Sequence, residues 1–246
     1  MRVCVVTVAI GERYLVEYTS LFRPSHEFYA LKHGYDFKVI ADYLDPGMKH
    51  PDSISMHKLL LCSQPWSMDY DYIVYVDADI LINRNAPPIH LAAQFGDKIG
   101  MIDEASQPTW ERRLAIQKKM GWELYPTEYM ALSGFDFQTD IIYNGGCMVL
   151  QPAKHRTLLE SIYLTHALKS IGHPRQFHYE QAVLNICLQK ADMVAPISHM
   201  FNAPWPLYNI DDPSLQIEEF YRSVYFMHLT GHSDYERVPQ LWNESV

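Results

Sequence analysis

The stretch Tyr72-Ile-Val-Tyr-Val-Asp77-Ala-Asp79-Ile-Leu-Ile82 decides how this chain folds. Five apolar or aromatic residues in a row, three of them β-branched, read as a strand buried on both faces, Tyr72 to Val76. Two carboxylates follow with one small residue between them. In extended backbone, positions i and i+2 project to the same side, so Asp77 and Asp79 can address one cation together, and Ala78 keeps the space between them clear. Asp-x-Asp in a surface turn arises often by chance, but burying two unpaired carboxylates at the end of so apolar a strand is costly. A hard divalent ion removes that cost and keeps open positions that diphosphate oxygens can fill.

Working toward the amino end, Val3 to Ile10 is continuously apolar and stops at Gly11, the pattern of a first buried strand. Glu12 to His33 carries apolar residues at helical spacing, with Pro24 dividing it and Gly34 ending it. Phe37 to Ala41 reads as a second strand, and Met56 to Cys62 as a helix leading back to Tyr72. Strand, helix, strand, helix, strand predicts an α/β chain with a doubly wound, mainly parallel sheet whose ligand lies beyond the carboxyl ends of the strands.

Toward the carboxyl end the sheet continues with Lys98 to Asp103, Tyr143 to Gln151, Met193 to Ile197 and Ser223 to Leu229. Helices are expected at His90 to Phe95, Ala153 to Ile171 and Tyr179 to Lys190. Glu104 to Asp140 differs, because its tryptophans, tyrosines and phenylalanines are scattered among polar residues without a clean period. It reads as an insertion beside the site, with aromatic rings able to stack on sugars or to pack the loop. No repeat or long linker divides the 246 residues, so one domain spanning 1–246 is expected.

A formal charge of -9 lacks the general attraction that nucleic acid or an anionic membrane requires, which excludes polyanion binding as the main role. An anionic small ligand then needs a few placed cations or a metal. The cysteines Cys4, Cys62, Cys147 and Cys187 show no metal-type spacing and read as core thiols in a reducing compartment. The opening MRVCVVTVAI reads as a strand rather than a signal sequence, and no run approaches the length of a transmembrane helix, so a cytoplasmic location is expected.

A second group of polar residues ends an apolar run in Val224-Tyr-Phe-Met-His228-Leu-Thr-Gly231-His232. An imidazole beside carboxylates shifts preference toward a transition metal, and Gly231 lets backbone approach phosphate closely. A lone histidine after a strand is more often structural, and the aspartates are what make a ligand of His228.

Taken together, VYVDADILI, YNGGCMVLQP, HYEQAVLN and FMHLTGH, in that order and at these separations, resemble the retaining GT-A glycosyltransferases of glycosyltransferase family 8 and the related galactosyl- and xylosyltransferases. The resemblance covers most of the chain. It implies the GT-A fold of nucleotide-diphospho-sugar transferases, a UDP-linked donor, a glycan or other hydroxyl acceptor, and Mn²⁺, with Mg²⁺ as the alternative. Asp77 and Asp79 match the metal-binding motif and His228 the later histidine ligand. Thr7, Ala9, Ile10 and Tyr14 match the first strand and turn that hold base and ribose, and Lys58 the basic residue that reaches the diphosphate or sugar. Asn144, Gly145 and Gly146 match the small-residue entry to a strand beside the donor sugar, and Glu180 and Gln181 the acid and amide facing the anomeric carbon. Where family members carry a phosphate-gripping lysine and then Pro-Trp, this chain has Gly231-His-Ser-Asp-Tyr-Glu-Arg237, so His232 or Arg237 stands in for it. Three alternatives stay open: an inverting enzyme of the same fold with Asp103, Asp136 or Asp140 as base, a phosphohydrolase using Asp77 as nucleophile, and a non-catalytic sugar-nucleotide binding module.

Overall fold

The computed structural model describes residues 1–122, 125–173 and 179–244. His178, the first residue of the HYEQAVLN motif, lies outside them.

Apolar alternation builds the central sheet. Cys4, Val6 and Val8 of β1 (Val3–Val8) face one core, and Val3 and Val5 face the other. In β3 (Tyr72–Val76) Ile73 and Tyr75 join the first core and Val74 and Val76 the second, and in β6 (Tyr143–Leu150) Met148 and Leu150 oppose Cys147 and Val149. The side chains alternating about these strands are mostly apolar, Thr7 and Asn144 excepted, because both faces are covered. With β2 (Asp36–Ile40), β5 (Ile99–Asp103) and β7 (Val194–Pro196), the order is β2-β1-β3-β6-β5-β7. Every strand runs the same way except β6, which is antiparallel to both β3 and β5. The doubly wound, mainly parallel sheet expected from the sequence is the sheet the chain forms.

Helices α1 (Glu12–Leu21) and α2 (Arg23–His33) divide at Arg23-Pro24, where proline occupies the first turn of α2, and Gly34 closes α2 in a left-handed conformation, φ 67°. The helix expected at Met56 to Cys62 lies within a longer 3-10 helix, Pro51–Ser63, which packs on α5 (Pro152–His166). Residues 104–140 contain α3 (Trp110–Met120) and α4 (Pro126–Leu132), which the scattered aromatic residues had hidden. Beyond α6 (Tyr179–Lys190), the expected strand Ser223 to Leu229 divides. Its first residue ends a helix, and only Phe226–His228 is strand. This strand belongs to a second, three-stranded sheet of β4 (Ile80–Ile82), β8 (Ala203–Pro204) and β9 (Phe226–His228), in the order β4-β9-β8. Helices α7 (Trp205–Asp211), α8 (Ile217–Ser223) and α9 (Val238–Glu244) flank it. Among the described residues, no helix is long and apolar enough to cross a membrane.

His26 joins the two sheets. Wholly buried, it receives the hydroxyls of Thr7 and Tyr18 at Nδ1, 3.0 and 3.2 Å away, and its Nε2 donates to the Ile80 carbonyl at 2.7 Å. Burial disfavours the imidazolium and lowers its pKa to about 4. Between that value and the unfolded value of about 6.5, the unfolded chain binds a proton that the folded chain refuses, so stability falls as pH drops through this window. The loss expected from His26 is about 2–4 kcal/mol. Urea unfolding at pH 7 and pH 4 should show a smaller difference for His26→Gln than for the native chain.

Candidate metal and donor site

Topology brings the site together before any ligand does. The carboxyl ends of β1, β3 and β5 share one edge of the sheet, and the reversed strand β6 delivers its amino end, Asn144-Gly145-Gly146, to the same edge. Asp77 extends the β3–β6 ladder by one bond, its N–H donating to the Gly146 carbonyl at 2.7 Å. The chain then turns, with the Ile80 N–H bonded to the Asp77 carbonyl, and enters the small sheet. The two carboxylates are therefore brought together across a turn and not along an extended strand, because Asp77 closes one sheet and Ile80 opens the next. Pairing of Ile80 with His228 in β4–β9, and a bond from the Leu229 N–H to the Asp79 carbonyl, set the histidine beside them. One ligand atom each from Asp77, Asp79 and His228 lies within 4.8 Å of the others.

The electrostatics of this cluster are those of opposed charges in a dry site. His228 Nε2 is 3.1 Å from Asp79 Oδ1, and the side chains are 5% and 17% exposed. Burial favours the neutral form of each, but their attraction outweighs it, holding Asp79 below the usual carboxylate range and His228 above the usual imidazole range. Asp77 accepts a hydrogen bond from the Tyr75 hydroxyl. Lys58, buried on the 3-10 helix, places Nζ 2.7 Å from Glu180 Oε1, 3.7 Å from Asp77 Oδ1 and 3.0 Å from the Gly145 carbonyl. Desolvation pulls its pKa down, yet Asp77 and Glu180 together raise it, so the ammonium persists.

The glycines of β6 make room for these side chains themselves. A Cβ on Gly145 would stand 2.7 Å from Glu180 Oε1, and one on Gly146 would stand 2.8 Å from His228 Cε1 and 2.9 Å from Asp77 Oδ2. Any side chain there would push the acidic groups and the imidazole apart.

The remaining expected residues divide. Ala9 and Ala78 pack in the core beneath the small sheet, Ile10 packs in the core of the main sheet, and the Thr7 hydroxyl is spent on His26, so these positions offer a ligand backbone rather than side chains. Tyr14 is 43% exposed, and its pKa is raised by burial and then by the charges of Asp79 and Asp77. His232 stacks on Tyr235 with ring centres 4.9 Å apart, meets the Tyr14 ring edge-on at 6.0 Å, and lies 3.4 Å from Glu17. Gly231 and His232 both take left-handed backbone, φ 73° and 62°. Arg237 is ion-paired with Glu218. Gln181 leans on Glu104, Nε2 to Oε2 3.5 Å. Of the carboxylates considered as a base, Asp103 is half-buried with Oδ1 bonded to the Ala105 N–H, while Asp136 and Asp140 are exposed.

Sequence reasoning missed a buried polar chain behind His228. Asn202 Oδ1 lies 2.8 Å from His228 Nδ1, Asn202 Nδ2 is 2.8 Å from Asn144 Oδ1, Asn144 Nδ2 is 2.6 Å from Glu104 Oε2, and Arg113 of α3 closes the chain on Glu104 Oε1 at 2.7 Å. Burial works against the Glu104 carboxylate, but Arg113 and Asn144 hold its pKa low. Tyr75 was hidden in the same way, inside a run read for its apolarity.

No protein-family model matches the chain, and no curated protein sequence matches it. Solved structures do. The chain is similar to a glycosyltransferase involved in the glycosylation of the major capsid of PBCV-1, with a TM-score of 0.62 at 12% identity over 99% of this chain and 100% of that one. It is similar to the galactosyltransferase LgtC in complex with donor and acceptor sugar analogs, with a TM-score of 0.58 at 17% identity over 99% of this chain and 100% of that one. An active-site glutamine-to-glutamate mutant of LgtC matches at 0.60 and 16% identity, over 98% of this chain and 95% of that one. Likeness at these identities is likeness of fold: the chain has the GT-A fold of glycosyltransferases.

Proposed function

We propose that this chain is a metal-dependent glycosyltransferase that moves a sugar from a nucleoside diphosphate donor, UDP-linked, to a hydroxyl of a glycan or other acceptor with retention of configuration. The observation that carries this reading is the convergence of Asp77, Asp79 and His228 where the parallel strands end, in a fold shared with glycosyltransferases. The donor set fits a divalent ion: two carboxylates and one imidazole suit Mn²⁺, with Mg²⁺ as the weaker choice, and the bare backbone of Gly146 keeps the three together. Bound there, the ion supplies charge that offsets the negative charge growing on the departing diphosphate.

The chain's own groups do the rest. The backbone at the end of β1, Thr7 to Ile10, and the Tyr14 ring receive base and ribose. Gly231 and His232 lie against the diphosphate, with His232 in place of the lysine the family would use. The Lys58 ammonium, fixed by Glu180 and Asp77, adds a second positive charge in a site too dry to screen it. Glu180 and the Gln181 amide steady the oxocarbenium-like anomeric carbon, a role consistent with the active-site glutamine of LgtC. The acceptor hydroxyl attacks on the leaving group's face and passes its proton to the departing phosphate, so no protein base is needed. The four cysteines are free, three of them buried, which fits a reducing, cytoplasmic setting.

The test is thermal unfolding against a panel of nucleotide sugars, each with and without Mn²⁺. A matching donor near 100 times its dissociation constant stabilises by about 2.7 kcal/mol, several degrees for a chain of this length, and only with the metal present. A panel in which no donor shifts the midpoint with Mn²⁺ refutes the reading. Binding without consumption of any donor identifies the non-catalytic module instead.

A further inference from the structure

The hydrogen-bond chain behind His228 has a forced direction. The Gly146 N–H, 2.7 Å from Asn144 Oδ1, can only donate, so that atom is the amide oxygen, and the Glu104 carboxylate accordingly accepts from Asn144 Nδ2. Asn144 Oδ1 therefore faces the Asn202 amide nitrogen, which leaves Asn202 Oδ1 toward the imidazole. An amide oxygen cannot donate, so Nδ1 of His228 carries a hydrogen toward Asn202, and Nε2, 3.1 Å from Asp79 Oδ1, is the nitrogen left to exchange its own hydrogen for a metal.

We propose that Asn202, oriented by Asn144 and through it by the Glu104–Arg113 pair, is the positioning residue that fixes the tautomer and aim of His228 for the metal. The burial agrees: Asn202 is 1% and Asn144 8% exposed, so water does not replace a missing partner. The Asn202 backbone carbonyl accepts from Gln107 Nε2 at 3.1 Å, which fixes the main chain that carries the side-chain amide. Because Glu104 opens the 104–140 segment and Arg113 lies on α3, the aim of the metal ligand is tied to the side of the site that the segment flanks. Outer partners of a metal-ligating histidine typically change metal affinity by about 10- to 100-fold.

This inference rests on the metal centre proposed above, and the experiment separates the two. Nitrogen-15 spectra of the histidine rings in metal-free protein read whether Nδ1 of His228 carries a hydrogen, and calorimetry with Mn²⁺ reads affinity. The native chain should show Nδ1–H. Asn202→Leu should lose that preference and weaken Mn²⁺ about 10- to 100-fold. Asn144→Asp, which sets two carboxylates against each other, should weaken it as well, while adding Glu104→Gln reverses donor and acceptor across that bond and should restore affinity to within about threefold of native. Asn202→Leu with the native tautomer and an unchanged dissociation constant overturns the proposal, as does a double variant no better than Asn144→Asp. A native chain that shows the tautomer but takes up no Mn²⁺ refutes the metal centre and leaves the aim of His228 standing.

Discussion

Asp79→Asn is expected to reduce Mn²⁺-dependent turnover of the nucleotide sugar by at least about 10³-fold, measured as release of the nucleoside diphosphate. The amide keeps the shape of the side chain and its backbone bond to Leu229, so the fold should persist. What disappears is the anionic oxygen that shares the site with His228 Nε2 and Asp77. The loss should fall on the metal-dependent rate and on the metal-dependent part of the thermal shift, while the metal-free chain loses only the stability that the Asp79–His228 pair gives it. A variant that keeps a tenth or more of native turnover would take Asp79 out of the site.

The second large effect is on stability. Lys58→Met removes the ammonium that stands 2.7 Å from Glu180 and 3.7 Å from Asp77, at a position 4% exposed. Breaking a buried ion pair from one side leaves an uncompensated charge, at a cost of about 3–5 kcal/mol. Denaturant unfolding should show that cost for the single variant and much less for Lys58→Met/Glu180→Gln, which removes both charges. Activity should be lost in both. A single variant as stable as the native chain would mean that the pair contributes nothing to the fold.

How far the sequence carried can be judged from particular residues. Tyr72–Val76 and Tyr179–Lys190 form the strand and helix that their patterns predict, the first from an unbroken apolar, β-branched run and the second from twelve residues at helical spacing. Asp77, Asp79 and His228 announce themselves by chemistry: each is a polar group where apolar sequence stops, and the structure gathers all three. Thr7 shows the limit of such reading, since its place at the end of β1 suggests a ligand contact while its hydroxyl faces the buried ring of His26. Asn202, Glu104 and Arg113 had no signal at all. They lie in irregular sequence without periodicity, and the chain they form runs through Asn144, 58 positions from Asn202 and 40 from Glu104. The small sheet was hidden for a related reason, because a three-residue strand has too few alternations to be read as one. The turn between Asp77 and Ile80 follows from that sheet, so the expected extended geometry failed where the missing element began.

The most direct test of the central claim is anomalous diffraction from crystals grown with Mn²⁺ and UDP. The account predicts one strong manganese peak within about 2.5 Å of carboxylate oxygens of Asp77 and Asp79 and of His228 Nε2, with diphosphate oxygens completing its coordination. Nucleotide bound at this edge of the sheet, with no manganese between those three side chains, would contradict it.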